Sequence, residues 1–204
     1  MHAKEVYLGR GFAFGHNREG NIELLRRVSE ELGFLAAEVP ELRLRNQRVS
    51  SSKVRGLLSE GRVNLARRLL GRPYGVEGRV ERGAERGAGL GFPTANLHPH
   101  NRVIPRNGVY VTGTLIDGQW RRSVTNVGVR PTFTADTEPS VETFVINWAG
   151  DLYGDVVRVR FLHRLRDERK FDSIEELKAQ IDKDVERAES YFGRAGSRHT
   201  LALV

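Results

Sequence analysis

Two side chains with hard oxygen donors stand two positions apart in Phe92-Pro93-Thr94-Ala95-Asn96. In an extended segment alternate side chains share a side, so Thr94 and Asn96 would point the same way. That spacing suits a Mg²⁺ ion shared with phosphate oxygens. Pro93 fixes the chain immediately ahead of them. The pair stands at the exit of a glycine-rich run, Arg82 to Gly91, with glycine at Gly83, Gly87, Gly89 and Gly91. Such glycines tolerate positive φ and let backbone N–H groups approach phosphate oxygens. Arg82 and Arg86 add positive charge. Glycine content alone favours a flexible hairpin loop, and it is the Pro-Thr-Ala-Asn exit that shifts the reading toward phosphate binding.

Glu142, in Val141-Glu142-Thr143-Phe144-Val145-Ile146-Asn147-Trp148, is the other candidate for chemistry. A strand here puts its carboxylate on the face of Phe144, Ile146 and Trp148, where an acid needs a partner or a task. Alternatively Val141, Thr143 and Val145 form the core face and Glu142 is solvated. The strand by itself does not choose between them.

Other phosphate-handling and hydrolytic signatures are missing. There is no Gly-Lys dipeptide, hence no P-loop, and no Gly-x-Ser-x-Gly elbow. His163-Arg164-Leu165-Arg166-Asp167 reads as a charged element end and not as a protein-kinase catalytic loop. His98-Pro99-His100 reads as a surface turn, since no third metal ligand is in view.

The elements that must position these residues change character along the chain. Ile22, Leu25, Val28 and Leu32 recur at helical spacing before Gly33, Val54, Leu57 and Leu58 follow the cap-forming Ser50-Ser51-Ser52, and Leu65, Leu69 and Leu70 precede Gly71. After Gly71-Arg72-Pro73 the period shortens to strands. Val109, Val111 and Leu115 alternate up to an Asp117-Gly118 hairpin turn, and Val157, Val159 and Phe161 alternate with Arg158 and Arg160. A final helix starts at a Ser173/Glu176 capping box and carries Ile174, Leu177, Ile181, Val185 and Ala188 as its apolar stripe. The expected organisation is a helical or α/β piece over residues 1–70, a small β-barrel with a packed helix over 71–193, and a flexible tail over 194–204.

The 204 residues include no cysteine, which removes disulfides and thiolate chemistry and suits a reducing cytoplasm. No apolar run reaches the length of a membrane span, and the N-terminus lacks a signal-peptide pattern. Net charge is +7, but residues 1–70 hold 13 basic against 8 acidic side chains and residues 71–204 hold 20 against 18. A single-stranded nucleic-acid-binding barrel would want its excess charge on the barrel, so no nucleic-acid partner is expected.

LGFPTANL, Leu90 to Leu97, resembles the signature of riboflavin kinases, including the C-terminal module of bifunctional riboflavin kinase/FAD synthetases. Further matches occur in the family's order: GRPY (Gly71 to Tyr74), NGVY (Asn107 to Tyr110), Asn126-Val127-Gly128 with Pro131-Thr132-Phe133, Val141-Glu142-Thr143 and DLYG (Asp151 to Gly154). The last is Leu165-Arg166-x-Glu168-x-Lys170-Phe171-x-Ser173. The resemblance spans about residues 71–192. It implies a six-stranded antiparallel barrel with a C-terminal helix that transfers the ATP γ-phosphate to the ribityl 5′-hydroxyl of riboflavin. By the same motifs Thr94 and Asn96 would hold Mg²⁺ and phosphates, Glu142 would be the base, and the loop of Gly83, Arg86, Gly87, Gly89, Gly91 and Pro93 would cover the nucleotide. The chain departs from the family at Ala88, where a basic residue is common, and at Phe144, where bacterial members often have His. A catalytically weak flavin or nucleotide binder, its turnover lost through the Ala88 change or the missing part of the adenylyltransferase module, is the alternative.

Residues 1–70 resemble part of an FMN adenylyltransferase module, through Gly11-Phe12-Ala13-Phe14-Gly15-x-x-Arg18-x-Gly20 and Val49-Ser50-Ser51-Ser52-x-x-Arg55. That module's His-x-Gly-His motif has no counterpart here. The expectation is a truncated α/β nucleotidyltransferase segment without FAD synthesis, exposing sheet edge and apolar surface and open to self-association. FAD formed from FMN and ATP by the purified chain would overturn that expectation.

Overall fold

The computed structural model describes residues 3–82, 92–131 and 137–194. Packing divides the chain into two compact units, the first ending at Ser50 and the second starting at Ser51.

The first unit is a small α/β piece. Strands β1 (Glu5–Gly9) and β2 (Leu35–Val39) pair in parallel, joined through helix α1 (Ile22–Leu32). Asn21 caps α1 by accepting from the Leu24 N–H at 2.9 Å, and Gly33 ends it in the left-handed region. A two-residue hairpin, β3 (Arg43–Leu44) with β4 (Gln47–Arg48), completes the unit. Tyr7, Leu35, Val39 and Leu42 are exposed apolar side chains of this unit.

The second unit begins with α2 (Ser51–Ser59) and α3 (Val63–Leu70). The sequence pattern places a boundary after residue 70, whereas these helices pack with the strands downstream of it. Val54, Leu57, Leu58, Val63 and Ala66 lie in the same buried cluster as Val76, Tyr110 and Phe161. The period changes at Gly71 because the helices end there, but the core continues through it.

Six further strands make up most of the second unit: β5 (Tyr74–Glu81), β6 (Thr94–Pro99), β7 (Gly108–Ile116), β8 (Gln119–Pro131), β9 (Thr137–Val145) and β10 (Val156–Arg166). They close into an antiparallel barrel in the order β10-β5-β6-β9-β8-β7. Asp117 and Gly118, both at positive φ, form the expected two-residue turn between β7 and β8. On β7 the faces are divided unexpectedly. Tyr110, Thr112, Thr114 and Ile116 point inward, while Val109 and Val111 join a second cluster beneath the last helix, α4 (Ile174–Arg194). Inside the barrel, the hydroxyls of Thr114, Ser123, Thr112, Thr125 and Thr143 form an unbroken chain of hydrogen bonds of 2.7–2.8 Å. Every one of these residues is fully buried, so the chain satisfies groups that have no access to water.

Helix α4 is capped as expected, Ser173 Oγ accepting from the Glu176 N–H at 3.1 Å. Ala188, Phe192 and Val185 pack against Val109, Val111, Val124 and Leu162 of the barrel's outer side. Ile174, placed in the apolar stripe by sequence, is exposed. An acid stands on the buried face of the helix instead. Asp184 is 2% exposed and accepts from Arg166 of β10 through Nε at 2.9 Å and Nη2 at 2.8 Å, and from Gln180 at 2.9 Å. Removing one partner of a buried ion pair strands the other charge. Asp184→Ala should therefore lower the unfolding free energy by about 3–5 kcal/mol in urea denaturation, and Arg166→Met with Asp184→Leu together should recover most of it.

Candidate functional site

The candidate residues meet on the outer face of three adjacent strands. Cross-strand register sets Thr94 opposite Phe144 and Asn96 opposite Glu142 between β6 and β9. Between β9 and β8 it sets Phe144 opposite Val124 and Glu142 opposite Asn126. Directly opposed residues share a face of a sheet. Asn96, Glu142 and Asn126 therefore stand abreast, with Thr94, Phe144 and Val124 as the next row.

Both sequence readings of Glu142 are partly realised. Val141, Thr143 and Val145 are the buried inward face, as one reading had it. The outer face is no simple solvent face, because Phe144 and Ile146 pack into the cluster under α4. Glu142 is half-buried there, and its Oε1 accepts from the Ser140 hydroxyl at 3.0 Å. The strand ends at Val145, and Trp148 beyond it packs against the other cluster. Asn96 is only 6% exposed, and its Nδ2 donates to the Thr94 carbonyl at 3.4 Å. Phe92 meets Phe144 edge-on with ring centres 5.2 Å apart, tying the segment before β6 to β9.

A cavity of about 310 Å³ opens at the end of the barrel beside this row. Thr94, Ala95 and Asn96 form one wall, Glu81 and Arg82 another, and Trp148 with Asp151-Leu152-Tyr153 a third. The third wall is the DLYG turn. Asp151 Oδ1 accepts from the Tyr153 N–H at 2.9 Å, and Gly154 N–H donates to Val80 at 2.9 Å, anchoring the turn to β5. The Arg82 guanidinium lies 5.1 Å from the centre of the Tyr153 ring. Pro93 lines the cavity as well. Gly83, Arg86, Gly87, Gly89 and Gly91, with Ala88, lie outside the described residues. His98 and His100 are both exposed.

Sequence reasoning left three neighbours of the site without a role. Asn126 appeared only within a motif. Glu168 folds back over β8, and a Cβ on Gly128 would collide with its carboxylate. The same carboxylate receives Asn107 Nδ2 at 3.5 Å. Arg164, beside them, donates to the Asn107 carbonyl at 2.6 Å, to Asp167 at 2.8 Å and to the Tyr110 hydroxyl at 3.3 Å. Burial raises the Tyr110 phenol above its ordinary value, with Arg164 opposing, so it stays neutral and donates to the Arg106 carbonyl. Hydrogen bonding and charge from Arg164 hold the exposed Asp167 carboxyl below its usual range. The signal for Glu168 was present in sequence, a glycine and a glutamate in two motifs, but their contact spans 40 positions and needs the fold.

Comparison with known proteins bears on both units. Residues 70–192 match the family described as riboflavin kinase, and residues 1–53 match the family described as FAD synthetase. The bifunctional riboflavin kinase/FMN adenylyltransferase of Haemophilus influenzae is 39% identical over 193 residues, covering 94% of this chain and 62% of that protein. The protein of the same description from Pseudomonas fluorescens is 39% identical over 195 residues, covering 96% and 63%. The chain thus spans less than two thirds of these relatives' length. A crystal structure from Streptococcus pneumoniae, described as a macrolide-efflux protein, superposes with a TM-score of 0.78 at 33% identity, over 92% of this chain and 60% of that one.

The seat of Glu168 is testable directly. Gly128→Ala should turn the exposed Glu168 carboxylate aside and change stability by no more than about 0.5 kcal/mol, the range for surface changes, as read by urea unfolding. A loss of several kcal/mol would mean that the carboxylate is fixed in its place.

Proposed function

The chain belongs to the riboflavin kinase family, and from that membership we propose that it transfers the γ-phosphoryl group of ATP to the ribityl 5′-hydroxyl of riboflavin, giving FMN and ADP. We assign the reaction to residues 71–193. The observation that carries the reading is the juxtaposition of Asn96 and Glu142 in register across β6 and β9, with Thr94 on the same face.

An alcohol is a poor nucleophile, and phosphoryl transfer rests mainly on alignment and on neutralising charge. In the proposed reaction the 5′-oxygen attacks the γ-phosphorus while the bond to the ADP oxygen breaks, and the hydroxyl proton passes to a carboxylate oxygen of Glu142. Glu142 is suited to this by its half-buried place on a rigid strand, where Ser140 already orients one carboxylate oxygen. Thr94 and Asn96 supply neutral hard oxygens from one face of β6, a donor set that fits Mg²⁺. Among the described residues no group of three His, Cys, Asp or Glu is clustered for a metal; the ligands beyond Thr94 and Asn96 would come from phosphate and water. When bound, that ion offsets the negative charge of the phosphates. The cavity walled by Arg82 and β6 adjoins these two residues, which suits it to the nucleotide side of the reaction. Among the described residues no helix is long and apolar enough to cross a membrane.

Glu142→Gln keeps the shape of the side chain and removes the proton acceptor. It should lower kcat by roughly 10²–10⁴-fold with little change in either KM, measured by chromatographic separation of FMN from riboflavin. Asn96→Asp should lose turnover on a similar scale. A Glu142→Gln rate close to that of the unmodified chain would remove the assigned base.

A further inference from the structure

Beyond the residues already given roles, we propose that Asn126 binds the acceptor substrate: its carboxamide hydrogen-bonds the alcohol group adjacent to the hydroxyl that Glu142 deprotonates. The inference rests on the kinase reading and adds to it the contact that recognises the acceptor chain.

The register carries the argument. Glu142 is flanked by Asn96 on β6 and by Asn126 on β8, each directly opposite it. Opposed Cβ atoms in antiparallel sheets are about 5 Å apart, so the three side chains span on the order of 10 Å. In-line transfer places the attacking and leaving oxygens on opposite sides of the phosphorus. The phosphate side is taken by Thr94 and Asn96 on β6. The acceptor must then come from the other side of Glu142, over β8, where Asn126 is the side chain abreast of the carboxylate.

Its chemistry and surroundings fit that task. Asn126 is half-buried, and its carboxamide makes no hydrogen bond to another described residue. Its amide atoms are not among the buried polar atoms without a partner, so the group is open to a ligand. A carboxamide both donates and accepts, which matches a secondary alcohol, a group that does the same. Two positions along the same face, Gly128 leaves room for the Glu168 carboxylate, a further acceptor above β8. On the far side of Asn126, its register partner on β7 is the buried Val109, which closes the polar strip there. The strip is thus short and rich in hydrogen-bonding groups, suited to a polyol chain and not to a flat apolar ring.

The test compares Asn126→Ala with the unmodified chain using riboflavin and 4′-deoxyriboflavin, which lacks the hydroxyl next to the terminal one. The riboflavin KM should rise about tenfold, the loss of one well-made hydrogen bond, with the ATP KM unchanged. With 4′-deoxyriboflavin the two proteins should agree within about twofold, because the partner of the amide is gone from both. An unchanged riboflavin KM in Asn126→Ala, or an equal penalty with both acceptors, overturns the inference while leaving the kinase reading intact. An unmodified chain that forms no FMN overturns the kinase reading and the inference together.

Discussion

The register of β9 between β6 and β8 is the constraint on which the site depends. Side chains alternate along a strand with period two, so a slip of one residue would turn Glu142 into the barrel and bring Thr143 out in its place. The inward face resists that slip from both ends of its chemistry. Val141 is fully buried among Leu97 and Val127, its partners on either side. Thr143 ends the hydroxyl chain at Thr125, and a carboxylate in its place would meet a fully dehydrated interior. The barrel therefore aims Glu142 by excluding it. A buried polar seam that is fully paired specifies one arrangement, since any shifted register leaves hydroxyls without partners.

Helix α4 completes the outer side of the same strands. An outer barrel face that faced only water would not need Val109, Val111 and Leu162, and these residues make sense because Phe192 and Ala188 cover them. The Arg166–Asp184 pair fixes where along β10 the helix docks, as a bidentate contact has one good geometry where an apolar stripe has several. The loop between them, from Asp167 to Ser173, is held at its start by Arg164 and Arg166. Glu168, in the same loop, lies over Gly128 and receives Asn107 Nδ2.

What could be read from sequence depends on how many faces of each element are buried. Thr94 and Asn96 were legible because period two puts them together whatever covers them. Glu142 was not, because β9 is buried on its inner face by the core and on part of its outer face by α4, and alternation loses its meaning when both faces carry apolar residues. β7 misled for the same reason, its threonines lining the interior and its valines lying under the helix. Asp184 sat inside an apolar stripe and showed itself only with Arg166 opposite. The boundary after residue 70 was a true change of period and a false end of packing, since Leu58 and Val63 bury against residues far downstream. Family motifs supplied the six-stranded count, which periodicity alone did not reach.

Thr94 and Asn96 also belong to two environments at once. Among the described residues β6 pairs with β9 from Thr94 to Leu97 and with β5 from Asn96 to Pro99. The register with β9 sets Asn96 abreast of Glu142. Thr94, Ala95 and Asn96 also form one wall of the cavity at the end of the barrel. A single short strand thus borders the cavity and stands beside the carboxylate. In the proposed reaction that places the phosphate-bearing ligand and the proton acceptor on either side of the same two residues. The pairing of β6 with β9 holds their separation fixed, which is what alignment of the reacting groups requires.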